Sequence, residues 1–106
     1  MATTNIPLNM EKIKEFCLRW GVEELALFGS VLREDFGPES DIDVLVTFAP
    51  ERRPTGLELV RMRRDLQEMF HRPVDVMSRR GVEQSHNPQL RQEILSTAEV
   101  IYAQAA

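Results

Sequence analysis

The sequence predicts one small α/β domain, on three observations. Short apolar runs at residues 25–28, 42–46 and 74–77 read as strands, and the stretches around them carry apolar residues at helical spacing. The segment joining the second run to the third is long enough for a helical crossover, the link that parallel strands require. A length of 106 residues leaves room for a single core over residues 1–106.

Residues 1–8 read as an unstructured lead, with Pro7 against an early helix start. Asn9 is a natural N-cap, Glu11 suits the first turn, and Ile13, Phe16, Cys17 and Trp20 form the apolar stripe of a first helix that Gly21 closes. Leu25, Ala26, Leu27 and Phe28 make a buried strand cut off by Gly29, and Ser30 opens a short helical segment. Residues 36–40 have the composition of a loop that returns the chain beside that strand. A second strand follows from Asp41 to Phe48, then a break at 49–54 with Arg52 and Arg53 at its tip. Thr55-Gly56-Leu57-Glu58 has the spacing of a capping box, and Leu59, Met62, Leu66, Met69 and Phe70 carry that helix to about His71. Pro73 starts a third strand in which Val74 and Val76 face one way and Asp75 the other. Residues 78–86 read as a polar loop. Asn87-Pro88 starts a last helix with Leu90, Ile94, Leu95, Ala98 and Ile101 on its apolar face, and residues 103–106 fray.

Composition narrows the classes. With 42% hydrophobic and 28% charged residues the chain is of ordinary globular type. No apolar run has the length of a membrane span, and the N-terminus lacks the features of a secretory signal. The single cysteine, Cys17, rules out an internal disulfide framework and fits a reducing cytoplasm, so it reads as a core residue. Net charge is −4, but residues 1–50 carry 4 basic and 9 acidic side chains, and residues 51–106 carry 9 basic and 8 acidic. Stable binding of a nucleic-acid duplex is disfavoured by this balance, whereas the downstream arginines permit a local basic rim.

The residues that carry chemistry sit in and beside the first two strands. A Gly29-Ser30 turn between strand end and helix start gathers backbone N–H groups, a hydroxyl and the positive end of a helix dipole, which suits a phosphate. Arg33, one turn on, adds a charged fork to the same anion. Asp41 and Asp43, two residues apart on a strand, point to one face about 6.5–7 Å apart. Both can close on a divalent ion or a pair of ions, with phosphates as further ligands.

Gly29-Ser30, ten residues, then Asp41-x-Asp43 resembles the signature of the DNA polymerase β-type nucleotidyltransferase superfamily. The short chain and the wording of residues 29–48 are similar to its minimal nucleotidyltransferase (MNT) branch, whose members act as antitoxins beside HEPN-domain toxins. Glu34 departs from the small residue that many members carry after the arginine. The resemblance implies a mixed sheet with helices packed mainly on one face. It also implies a third carboxylate on a later strand, where Asp75 stands. By the family pattern Asp41 and Asp43 hold two Mg²⁺ ions, and Asp75 completes the ion nearest the attacking hydroxyl. Gly29 and Ser30 then hold the terminal phosphates of ATP, with Arg33 assisting. The implied activity is transfer of AMP from ATP to a tyrosine hydroxyl of a partner HEPN toxin, which silences it. An alternative from the same fold is a weak or inactive antitoxin that neutralises its toxin by covering it. Transfer to an RNA end or to a small molecule such as an aminoglycoside is a third.

Simpler readings have less support. A lone Asp-x-Asp is usually solvated acid and a lone Gly-Ser usually a turn, but their joint placement on strand ends is specific. An EF-hand is excluded because the glycine and later acidic ligands of the calcium loop are missing. Glycosyltransferases that use Asp-x-Asp need far more chain. His71 and His86 have no partner at ligand spacing and read as a helix end and a loop residue.

Overall fold

The structure, a computed structural model, describes residues 8–32, 37 and 40–104, without the side chain of Ser30. Arg33 and Glu34 therefore lie outside the described residues. In order, the chain forms α1 (Met10–Trp20), β1 (Val22–Phe28), a 3-10 turn (Gly29–Leu32), β2 (Ile42–Phe48), α2 (Gly56–Phe70), β3 (Val74–Ser78), α3 (Arg79–Glu83), α4 (Pro88–Thr97) and β4 (Glu99–Ala103). The four strands make one sheet in the order β3-β2-β1-β4. β1 runs antiparallel to both β2 and β4, whereas β2 and β3 are parallel, so the sheet is mixed.

The helix ends follow the expected chemistry. The Asn9 side chain accepts the Lys12 N–H at 3.2 Å, and Gly21 at φ +70° closes α1 by donating to the Cys17 carbonyl. At α2 the Thr55 hydroxyl accepts the Glu58 N–H at 3.2 Å while the Glu58 carboxylate accepts the Thr55 N–H at 3.1 Å. That box orients α2 as the crossover between the parallel strands.

Period-two alternation sorts each strand onto two faces. Leu25 and Leu27 of β1, Ile42, Val44 and Val46 of β2, and Ile13, Phe16, Met62 and Leu66 of the two long helices make the larger core. Each fully buried Leu, Ile or Met side chain contributes about 1.5–3 kcal/mol. Ala26, Phe28 and Leu45 point the other way, against Val82 of α3 and Ile94 of α4. The long helices thus cover one face, and the short ones cover only part of the other.

The structure corrects the sequence reading at the C-terminal end. α4 stops at Thr97, Ala98 is extended at φ −61° and ψ 135°, and residues 99–103 form β4 rather than a continued helix. Val100, Ile101 and Tyr102 favour a strand, and β1 has an open edge whose backbone groups need partners. Ala103 pairs with Glu24 and the Gln104 N–H donates to the Glu23 carbonyl at 2.7 Å, so the end expected to fray is tied down through Gln104. At the other end Leu8 packs on the core, and residues 1–7 lie outside the described residues. Within the expected polar loop, residues 79–83 form α3, capped by the Ser78 hydroxyl, because Val82 is buried under the sheet.

Candidate active site

Pairing in the sheet decides which acids meet. Phe28, the last residue of β1, is the register partner of Asp43, so the turn that follows β1 folds over the start of β2. Gly29 takes φ +76°, and a Cβ placed on it would collide with Oδ2 of Asp43. Only a residue without a side chain lets the backbone approach the carboxylate this closely. Val31, fully buried, anchors the turn from the core side. Gly29 and Asp43, 14 positions apart in sequence, are thereby in direct contact.

β3 adds the second acid. In the parallel pair Asp43 is the register partner of Asp75, which sets the two on neighbouring strands about 4.8 Å apart and on one face. Gly29, Asp43 and Asp75 all line one cleft of about 860 Å³. β2 begins at Ile42, so Asp41 stands just ahead of the strand, is exposed, and is not among the residues lining the cleft. Ser30 lies in the turn directly after Gly29. The Gly29–Leu32 segment is a single 3-10 turn, so the helix dipole expected after Ser30 is short and weak.

Among the described residues no three acid, histidine or cysteine side chains converge as a ready-made metal cage. Asp43 and Asp75 nonetheless fit Mg²⁺ by donor chemistry. This ion favours one or two carboxylates plus waters and substrate phosphates over an all-protein cage. Two adjacent hard oxygen donors beside a Cβ-free turn form part of such a shell, and waters and a nucleotide would bring the rest.

The cleft contains residues that the sequence reading did not place there. α2 contributes Leu59, Val60 and Arg63, and α4 contributes Leu90, Glu93 and Thr97. The Arg63 side chain makes no hydrogen bond or ion pair among the described residues, so its charge is available to the cleft it lines. One signal was available in the sequence: Val60 is apolar yet falls off the buried period of its helix, and with Met77 and Leu90 it stays exposed at the rim. The remaining candidates match their structural reading. His71 is the left-handed C-cap of α2 at φ 57°, His86 is an exposed loop residue, and Cys17 is buried.

Comparison with known proteins accords with this geometry. Residues 10–101 match the nucleotidyltransferase domain family. A Methanocaldococcus jannaschii protein that carries a protein adenylyltransferase name is 34% identical over 94 residues, covering 89% of this chain and 95% of its own. A solved structure described as a minimal nucleotidyltransferase is 34% identical with a TM-score of 0.64, covering 84% of this chain and 85% of that one. The MNT antitoxin complexed with a tri-AMPylated HEPN toxin of Shewanella oneidensis shares the fold at 19% identity and a TM-score of 0.61, over 89% of this chain and 69% of that one. With a family match over most of its length, and with its glycine turn and paired strand aspartates sharing one cleft, the chain belongs to the nucleotidyltransferase domain family and has the fold of its minimal members.

Proposed function

We propose that the protein is an antitoxin that transfers AMP from ATP, with Mg²⁺, to a tyrosine hydroxyl of a partner HEPN-domain toxin. The observation that carries this reading is the register pair Asp43 and Asp75 facing the Gly29 turn across one cleft. A volume of about 860 Å³ lies within the range of small-ligand sites. The names of the relatives support the activity and the class of partner.

The two acids have different surroundings. Asp43 is half-buried on an interior strand against Gly29, where it backs the phosphates. Asp75 is exposed on the edge strand β3, open to a hydroxyl brought from outside, which it can orient or deprotonate. These carboxylates would hold Mg²⁺, which when bound would supply the positive charge that a transferring α-phosphate and a departing pyrophosphate need. The Cβ-free Gly29 lets main chain close on the phosphates, and Arg63 supplies a positive charge from α2. In this reading Asp41 is a further oxygen donor ahead of β2, and Ser30 and Arg33 are phosphate ligands assigned from the sequence motif. In this reading the acceptor brings its own docking surface to the cleft.

The test is transfer of label from α-labelled ATP to a HEPN partner. Wild type with Mg²⁺ should label it, and Asp43→Asn or Asp75→Asn should lower the rate at least 100-fold with the fold intact. Asp41→Asn tests the third ligand in the same way. A second reading, neutralisation by covering, is favoured by the exposed Val60, Met77 and Leu90 around the cleft. Toxin silenced without label, and still silenced by both aspartate variants, would replace the enzyme with this binding reading.

A further inference from the structure

A second hollow, of about 490 Å³, lies at the opposite end of β2 from Asp43, between the loop that leads into α2 and the junction of β3 with α3. We propose that it is an anion site for the phosphates of a nucleotide-sized ligand, distinct from the nucleotidyltransferase cleft. Leu59 is the one residue that borders both.

The charge there runs against that of the chain. Four arginines, Arg52, Arg53, Arg79 and Arg80, line the hollow against two glutamates, Glu23 and Glu83, in a protein of net charge −4. The four divide into two that build and two that remain available. Arg52 is spent on the fold: its Nε donates to the Trp20 carbonyl at 3.3 Å and its fork grips the Glu58 carboxylate at 2.5 and 3.4 Å. Arg79 is held by Glu24 and Glu83, each at 3.4 Å. Arg53 and Arg80, the sequence neighbours of these two, are exposed, and their side chains make no hydrogen bond or ion pair among the described residues.

The walls are fixed before any ligand arrives. The Arg52 N–H donates to the Ala49 carbonyl at 2.9 Å and the Ala49 N–H to the Gly21 carbonyl at 3.2 Å, so the turn carrying Arg53 is pinned to the end of α1. The Ser78 hydroxyl accepts the Gly81 N–H at 3.0 Å, which leaves its own hydrogen to donate. Two guanidinium forks and a hydroxyl on a preformed wall suit phosphate oxygens. Phe48, Pro50, Pro54 and Leu59 give the hollow an apolar side for a planar ring, while Glu23 and Glu83 oppose a long polyanion. Both features favour a nucleotide over a nucleic-acid strand.

The test separates the two sites by metal. Without a divalent ion the paired aspartates of the cleft repel phosphates, whereas arginines need no metal. ADP and inorganic pyrophosphate are therefore titrated in EDTA and followed by amide shifts and calorimetry. We expect binding with shifts centred on Thr47, Ser78 and Gly81, ADP tighter than pyrophosphate, and affinity about tenfold or more weaker in Arg53→Ala/Arg80→Ala. Asp43→Asn/Asp75→Asn should bind as wild type does. If the arginine variant failed to fold, the wild-type shift map would still locate the ligand. No binding in EDTA, shifts confined to the aspartate cleft, or affinity untouched by loss of both arginines would overturn the proposal. Pyrophosphate binding as tightly as ADP would remove its nucleotide part, and affinity that rises with the length of single-stranded RNA would replace the small ligand by a polynucleotide.

Discussion

Replacement of Gly29 by alanine separates the cost to the fold from the cost to the site. At φ +76° any residue with a Cβ pays about 1–2 kcal/mol for the left-handed conformation. In a domain of this size each kcal/mol lowers the melting temperature by about 4–8 °C, so the variant should still fold. The new Cβ also overlaps Oδ2 of Asp43, and the carboxylate must withdraw. A shift of about 1 Å in a reacting group can cost about 100-fold in rate. Gly21→Ala is the matched control. It carries nearly the same backbone strain at φ +70°, but its Cβ meets only the flexible stem of Arg52, at 3.2 Å, far from the aspartates. Urea or thermal unfolding, together with Mg-ATP binding and AMP transfer per folded molecule, should show two similar stability losses and one large functional loss. Equal retention of nucleotide binding and transfer in the two variants would refute the claim that contact between Gly29 and Asp43 builds the site.

Three further outcomes follow from the same structure. Arg63→Ala should weaken ATP binding about tenfold or more without moving the melting temperature, because the side chain faces the cleft and supports nothing else; Arg64→Ala on the same helix should do neither. The Arg52 fork, followed by the Thr55 N–H, holds the Glu58 carboxyl down from 4.5 to about 2. A carboxyl with a lower folded value binds fewer protons folded than unfolded, so its contribution is whole above about pH 4.5 and fades toward pH 2. The melting-temperature gap between wild type and Glu58→Gln should close across that window, and a gap independent of pH would dismiss the pair as a contributor. Burial pushes the Cys17 thiol up to about 12, so a thiol reagent at pH 8 should label it only at the rate of unfolding, and labelling as fast as a free thiol would contradict its place in the core.

Most of the framework was legible because local chemistry and global packing agree in it. Asn9, Gly21, the Thr55 and Glu58 box and Asn87-Pro88 each terminate a helix where the sequence places the end. β4 was not legible, because Leu90, Ile94, Ala98 and Ile101 fit a helical period although the chain changes state at Ala98. Helical spacing is a local signal, and the pull of the open β1 edge is a tertiary one. α3 was hidden for the opposite reason. Five residues with one buried valine give too short a stretch for any period to emerge. The acids divide likewise. The faces of Asp43 and Asp75 followed from alternation on their strands, and the role of Asp75 from the family resemblance alone, but Asp41 depends on where β2 begins, and strand ends are the least determined feature of a sequence.

The parallel register is what brings the two aspartates of the proposed site level with each other. Asp43 and Asp75 lie 32 positions apart, and nothing local requires them to be level. The sheet makes them so, because Ile42 and Val44 pair with Val74 and Val76 and all four turn toward the core of the long helices. A slip of one residue in β3 would carry Val74 and Val76 out to the cleft face and Asp75 into that core, where an unpaired carboxylate is costly. The hydrophobic pattern of β3 thus fixes the position of its acid more tightly than a contact at the acid itself would. Val74→Thr or Val76→Thr, each remote from phosphate chemistry, should therefore reduce transfer only as far as it loosens the sheet. Hydrogen-exchange protection at residues 74–78 and AMP transfer should fall in step across such variants. Loss of transfer with β3 protection unchanged would show that the acids are held by something other than register.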